Sequence, residues 1–164
     1  MSDDRNSEPG RTLLEAISVL TGVKVAGPST GLAEEEARRI VSGRFETLQI
    51  GDANTALEAK EIVALVSGKS IFGVDYDGDP YVIAFAADGR GTLNMAGRAP
   101  DAGRWWVDPD ADTISSQWET VGGGREIICQ YYRTDVPGLY KSGWSESGRW
   151  SVFFAVSGTA EGAN

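Results

Sequence analysis

Two periodicities divide the chain. Up to Gly68 the apolar residues recur every three or four positions, and from Ser70 onward they alternate with polar ones. The first spacing gathers side chains on one face of a helix, the second on one face of a strand. Leu13, Ile17 and Leu20 share a helical face, with Gly22 placed to stop it. A Gly/Pro/Ser stretch over 26–31 follows as a loop. Leu32 to Val41 predicts a second, charged helix ended by Ser42-Gly43, and Phe45 to Ile50 predicts a short strand. Thr55-Ala-Leu-Glu58 has capping-box spacing, so a third helix should open there, run to Val66 and stop at Gly68. EARRIVSGR (36–44) and EIVALVSGK (61–69) end alike, which shared helix-stop chemistry explains better than duplication.

Eight strand-like segments follow, at 70–76, 80–87, 91–97, 103–107, 112–118, 125–133, 138–142 and 148–156. Turn signals separate them: DGD, DGR, APDAG, DPDAD, GGG, VPG and SESG. Short strands joined by tight turns predict an antiparallel meander. About eight of them close into an up-and-down barrel, which leaves no exposed edge. The predicted class is mainly β, an antiparallel barrel preceded by about three short α-helices. Residues 1–10 and 158–164 read as disordered tails, 11–54 as a helical extension serving as lid or partner surface, and 55–157 as helix plus barrel.

Composition narrows the chemistry. A net charge of −9 opposes nucleic-acid binding, which needs a basic surface. No histidine is present, which removes His-based acid/base catalysis and the commonest zinc and haem ligands. The single cysteine, Cys129, allows no internal disulfide, and mid-strand without a histidine to activate it reads as a buried structural thiol. The start, Met1-Ser-Asp-Asp, is acidic and lacks an apolar leader. The expectation is a cytoplasmic protein as written, or an exported one if a leader has been removed. No apolar run reaches membrane-spanning length. No cofactor and no metal are expected.

Two acidic stretches resemble calcium loops without matching one. Asp75-Tyr-Asp77-Gly78-Asp79 has its glycine too early, and Pro80 interrupts it. Asp77-Gly78 and Asp88-Gly89 read instead as type I′ hairpin turns, and solvent should keep Asp75 and Asp79 at ordinary pKa values. Asp108-Pro-Asp110-Ala-Asp112, continuing to Ser116 and Glu119, has suitable oxygens but Thr113 at the glycine position and strands on both sides. It too reads as a solvated hairpin.

The aromatic residues point inward. Cysteine is usually buried, so Ile127, Cys129 and Tyr131 should face the interior. Ile114, Ser116 and Trp118 join them, as do Tyr81, Ile83 and Phe85, with Trp150, Val152 and Phe154 as companions. A barrel of this size is either filled by such side chains or hollow enough for one small ligand. In the second case Trp118, Tyr131, Trp150, Ser116, Phe85 and Arg133 are the candidate ligand-binding residues, with Ser116, Tyr131 and Gln130 or Arg133 orienting a polar end.

SGKSIFG, YVIAFAADGRG, AGRWWVD, ISSQW and CQYY together resemble small bacterial lipocalin- or avidin-like barrels. The nearest pattern is that of domain-of-unknown-function 995, a group of usually exported proteins, over about residues 57–133. The chain departs from that pattern where a partner cysteine is expected near Ser115 or Ser116, and Gly73-Val-Asp replaces the lipocalin G-x-W. The resemblance implies the barrel fold. Three functions follow from the reading as a whole: a module binding a small, largely apolar ligand; a cofactor-independent cyclase resembling polyketide cycloaddition (Diels–Alder type) enzymes; or a protein-interaction domain with a filled barrel. Whether the protein is an enzyme is left open. The partner is a small apolar molecule or another protein.

Overall fold

In the computed structural model the described residues are 13–24, 31–47, 56–75, 77–134, 136, 138–144 and 150–156. The expected tails at 1–10 and 158–164, the loop at 26–30, the strand residues 48–50 and the SESG turn lie outside them. Helix α1 covers 13–21, α2 Glu34–Thr47 and α3 Ala59–Val66. Eight strands follow: β1 Lys69–Val74, β2 Pro80–Phe85, β3 Arg90–Met95, β4 Asp101–Asp108, β5 Thr113–Trp118, β6 Glu126–Arg133, β7 Leu139–Trp144 and β8 Trp150–Val156. Each pairs antiparallel with the next, and β8 returns to β1, so the sheet is a closed barrel. The predicted fold class is borne out.

Helix boundaries differ from expectation in two places. α2 does not stop at Ser42-Gly43 but runs to Thr47, through the start of the expected strand at 45–50. A glycine inside a helix costs only about 1 kcal/mol relative to alanine, and Gly43 stays out of the left-handed region. α3 starts at Ala59, later than the Thr55 spacing suggested. Its cap is Glu58, whose N–H donates to Glu61 Oε1 at 2.9 Å while the Glu58 side chain accepts from the Glu61 N–H. Just before it, Ala56 bridges to Tyr132 and the Leu57 N–H donates to the Tyr131 carbonyl. Those bonds take the residues just before Glu58 into the sheet. Gly68 ends the helix as expected, at φ +73°, and its N–H donates to the Phe85 carbonyl at 2.7 Å.

The barrel has two kinds of wall. Outward-facing Phe72, Val74, Val82, Leu139, Val152 and Phe154 form one apolar cluster with Leu13, Ala16 and Ile17 of α1 and Ala37 and Val41 of α2. β1, β2, β7 and β8 are therefore covered outside by helices and packed inside as well. This explains why SIFGV, YVIAF and SVFFAV are nearly continuous apolar runs. On β3 to β6 the outer face carries Thr92, Arg104, Gln117 and Gln130, and alternation is clear.

That difference corrects β8. Val152 and Phe154 belong to the outer cluster, and Phe153 and Ala155 pack inside. With both faces apolar, alternation could not choose between them. The side chain of Trp150 lies outside the described residues; its backbone pairs with Gly143.

Candidate functional site

The barrel is not filled. A cavity of about 290 Å³ is lined by Tyr81, Ile83, Phe85, Ser116, Trp118, Cys129 and Tyr131, among others. It lies at the lower edge of the range of about 300–1,000 Å³ typical of small-molecule sites. Ile83, Met95 and Ile127 face inward yet are only half-buried, because their inner faces look into this space. One end is closed by α3. Leu57, Ile62 and Val66, all 2 % exposed or less, belong to the same cluster as the inward-facing barrel residues. The other end reaches a rim formed by Asp75, Asp77 and Asp79 of the β1–β2 hairpin, Arg98 between β3 and β4, and Val121 after β5.

Of the sequence-predicted residues, the structure brings Phe85, Ser116, Trp118 and Tyr131 together in the cavity wall. Arg133 is not part of it. This residue is at the last position of β6, beyond the wall, and its guanidinium pairs with Glu61 of α3. That contact, after the Glu58 N–H, holds the Glu61 carboxyl below its ordinary range. Gln130 faces outward as well, accepting a hydrogen bond from Tyr132 Oη at 2.6 Å. Trp118 is buried within the wall, its indole lying over Gly91 and Gly103. A Cβ at Gly103 would come within 2.5 Å of Trp118 Cε3, so this glycine makes room for the ring.

The interior polar groups are mostly paired with one another. Tyr81 Oη and Ser151 Oγ are 2.9 Å apart, Ser116 Oγ accepts from Trp118 Nε1 at 3.1 Å, and the Ser142 side chain bonds the Cys129 thiol. The Tyr131 hydroxyl has no partner among the described residues, although the side chain is 4 % exposed. Burial pushes the Cys129 thiol up to about 11, and it pushes the Tyr81 and Tyr131 phenols well above their usual value. All three are neutral at physiological pH, and no charged side chain lines the interior below the rim.

Both acidic hairpins carry side-chain-to-backbone hydrogen bonds, in different ways. Asp77 and Asp88 do not take the positive φ of a type I′ turn; only Gly78 (+85°) and Gly89 (+94°) do. The Gly78 N–H donates to the Asp75 carbonyl and the Gly89 N–H to the Ala86 carbonyl, as in three-residue hairpin loops with one left-handed glycine. Asp75 Oδ1 accepts the N–H groups of Asp77 and Asp79, both at 2.9 Å. Asp75 is half-buried, and desolvation raises its pKa despite those bonds, contrary to the expectation of an ordinary solvated carboxyl. The three carboxylates of this hairpin offer oxygens within 4.8 Å of one another.

In the second hairpin Asp108 Oδ1 accepts from the N–H groups of Asp110 and Ala111. Asp112, at φ +55°, sends Oδ1 to the Ala59 N–H at 2.7 Å. Its oxygens hold a turn and a helix start. No family model, curated protein or solved structure matches the chain. Among the described residues no helix is long and apolar enough to cross a membrane.

Proposed function

We propose that the protein binds a small, largely apolar molecule inside the barrel. The observation that carries this reading is the 290 Å³ cavity, apolar over most of its wall and closed at one end by α3. A packed interior would have favoured an interaction domain instead. The neutral Tyr81, Tyr131 and Cys129 supply no general base in the interior near neutral pH, and the carboxylates that line the cavity are confined to its rim. A cycloaddition cyclase needs shape more than proton transfer, and it would use the same space.

The test is binding of a neutral, apolar, environment-sensitive dye to the native protein, followed by dye emission and tryptophan quenching. One dye per chain is expected to bind. Ligand at a hundredfold excess over its Kd should raise stability by about 2.7 kcal/mol through mass action. Ile83→Phe, which fills the space, should abolish uptake while leaving the far-UV spectrum unchanged. Dye uptake that is equal in Ile83→Phe would place the dye elsewhere and refute the reading.

A further inference from the structure

The cavity differs chemically along its length. Its interior contains no charge, and one donor in its wall, the Tyr131 hydroxyl, lacks a partner among the described residues. The Tyr131 backbone lies toward the α3 end, where its carbonyl accepts the Leu57 N–H at 2.8 Å, and its phenol lies near Cys129 and Tyr81 within the barrel. The hydroxyl opens onto the cavity space, and a ligand oxygen within reach can accept its hydrogen bond. The rim at the opposite end is acidic. Asp75, Asp77 and Asp79 all line the cavity there, and Arg98 is the cation facing them among the described lining residues. The carboxylates outnumber it three to one, and the half-buried Asp75 lacks full hydration.

Resting on the binding reading above, we infer that the ligand is an apolar amine. Its uncharged body enters the barrel and carries an oxygen acceptor for the Tyr131 hydroxyl, and its ammonium group stays at the Asp75–Asp77–Asp79 rim. Each part answers a feature of the site. The uncharged interior cannot take an ionised group without a large desolvation cost. The phenol stays protonated near neutral pH and offers a donor to a ligand oxygen such as an ether or a carbonyl. The rim favours a cation and disfavours a carboxylate, with Arg98 as the one group working the other way.

The experiment uses the full chain and four probes of about eight carbons: a methoxyalkyl amine, the alkyl amine without the ether oxygen, the methoxyalkyl alcohol and the methoxyalkyl carboxylate. Calorimetry gives their affinities at neutral pH and low salt. The methoxy amine should bind about fivefold tighter than the alcohol, the upper end for an ion pair at a largely exposed carboxylate group, and the carboxylate should bind weakest. Removing the ether oxygen should cost about fivefold, the size of one net hydrogen bond. Tyr131→Phe should erase the ether effect and leave the amine preference. Asp75→Asn combined with Asp79→Asn should erase the amine preference and leave alcohol binding intact. Equal binding of amine and alcohol, or a preferred carboxylate, would overturn the inference while the cavity reading stands. Failure of every probe together with failure of the neutral dye would overturn both.

Discussion

The two ends of the barrel use the same residue type for opposite purposes. At the closed end, the Asp112 carboxylate accepts the Ala59 N–H at the start of α3, and Arg133 and Glu61 pair beside it. Both interactions join distant parts of the chain, and apolar Ile62 and Val66 lie beneath, fully buried. At the open end, Asp77 and Asp79 form no ion pair with any described residue, and Arg98 likewise stands without one. Asp75 uses one oxygen on its own hairpin and carries a desolvation penalty. An end built for stability satisfies its polar groups internally. Under the proposed binding function, the carboxylates left unpaired at the open end are the ones available to a ligand, at some cost in stability.

This contrast is breakable at four points. The largest effect should come from the plug. Ile62→Ala should destabilise by about 2–5 kcal/mol, as deletions from packed cores do. Chemical denaturation measures it, and a cost below about 1 kcal/mol would mean that α3 does not seal the barrel.

Cys129 comes next. Its raised pKa, about 11 against an ordinary 9.0, predicts alkylation about a hundredfold slower at pH 8 than for an exposed thiol. The linkage has a definite sign. The folded state favours the thiol, so this contribution to stability is whole below about pH 9 and is lost as pH rises toward 11. Rapid modification of the native protein at pH 8 would show that the interior is wetter than its wall suggests.

The helix start should matter less. Asp112→Ala removes the acceptor of the Ala59 N–H and should cost about 1 kcal/mol, the usual size of a capping loss. Asp75→Asn at the open end should change stability least, within about 0.5 kcal/mol. The folded state raises the Asp75 pKa, so its charged form opposes folding at neutral pH. That opposition is relieved as pH falls through the raised value. The asparagine variant should lose this part of the pH dependence, seen in melting temperature between mildly acidic and neutral pH. An Asp75→Asn cost as large as that of Asp112→Ala would erase the distinction between the ends.

Much of this architecture follows from the sequence. All eight strands are visible in it to within about two residues at most ends, because tight turns and a period of two report local geometry. The inward faces of β5 and β6 are equally plain, since their outer faces are polar or mixed and alternation has only one solution, whereas β2 has an apolar outer face at Val82 and Ala84. The phase of β8 was not available, because α1 and α2 make its outer face apolar too. The same limit applies to the cavity. The alternation that points Ser116, Trp118 and Tyr131 inward says nothing about whether the side chains meet in the middle.

Val41-Ser42-Gly43 and Val66-Ser67-Gly68 make the point most simply. The same three residues continue α2 and terminate α3. What differs is the neighbour: the Gly68 N–H finds the Phe85 carbonyl at the end of β2, and the chain turns there into β1. Asp112 is a comparable case, a turn aspartate in the sequence and a helix cap only because α3 folds back 53 residues away. Local sequence determined which segments are strands, where the turns fall and which chemistries are excluded, because those depend on near neighbours and composition. Tertiary structure decided which face of β8 is inside, where α2 ends, which carboxylates are satisfied and that the barrel is hollow, because each depends on groups brought together from distant parts of the chain.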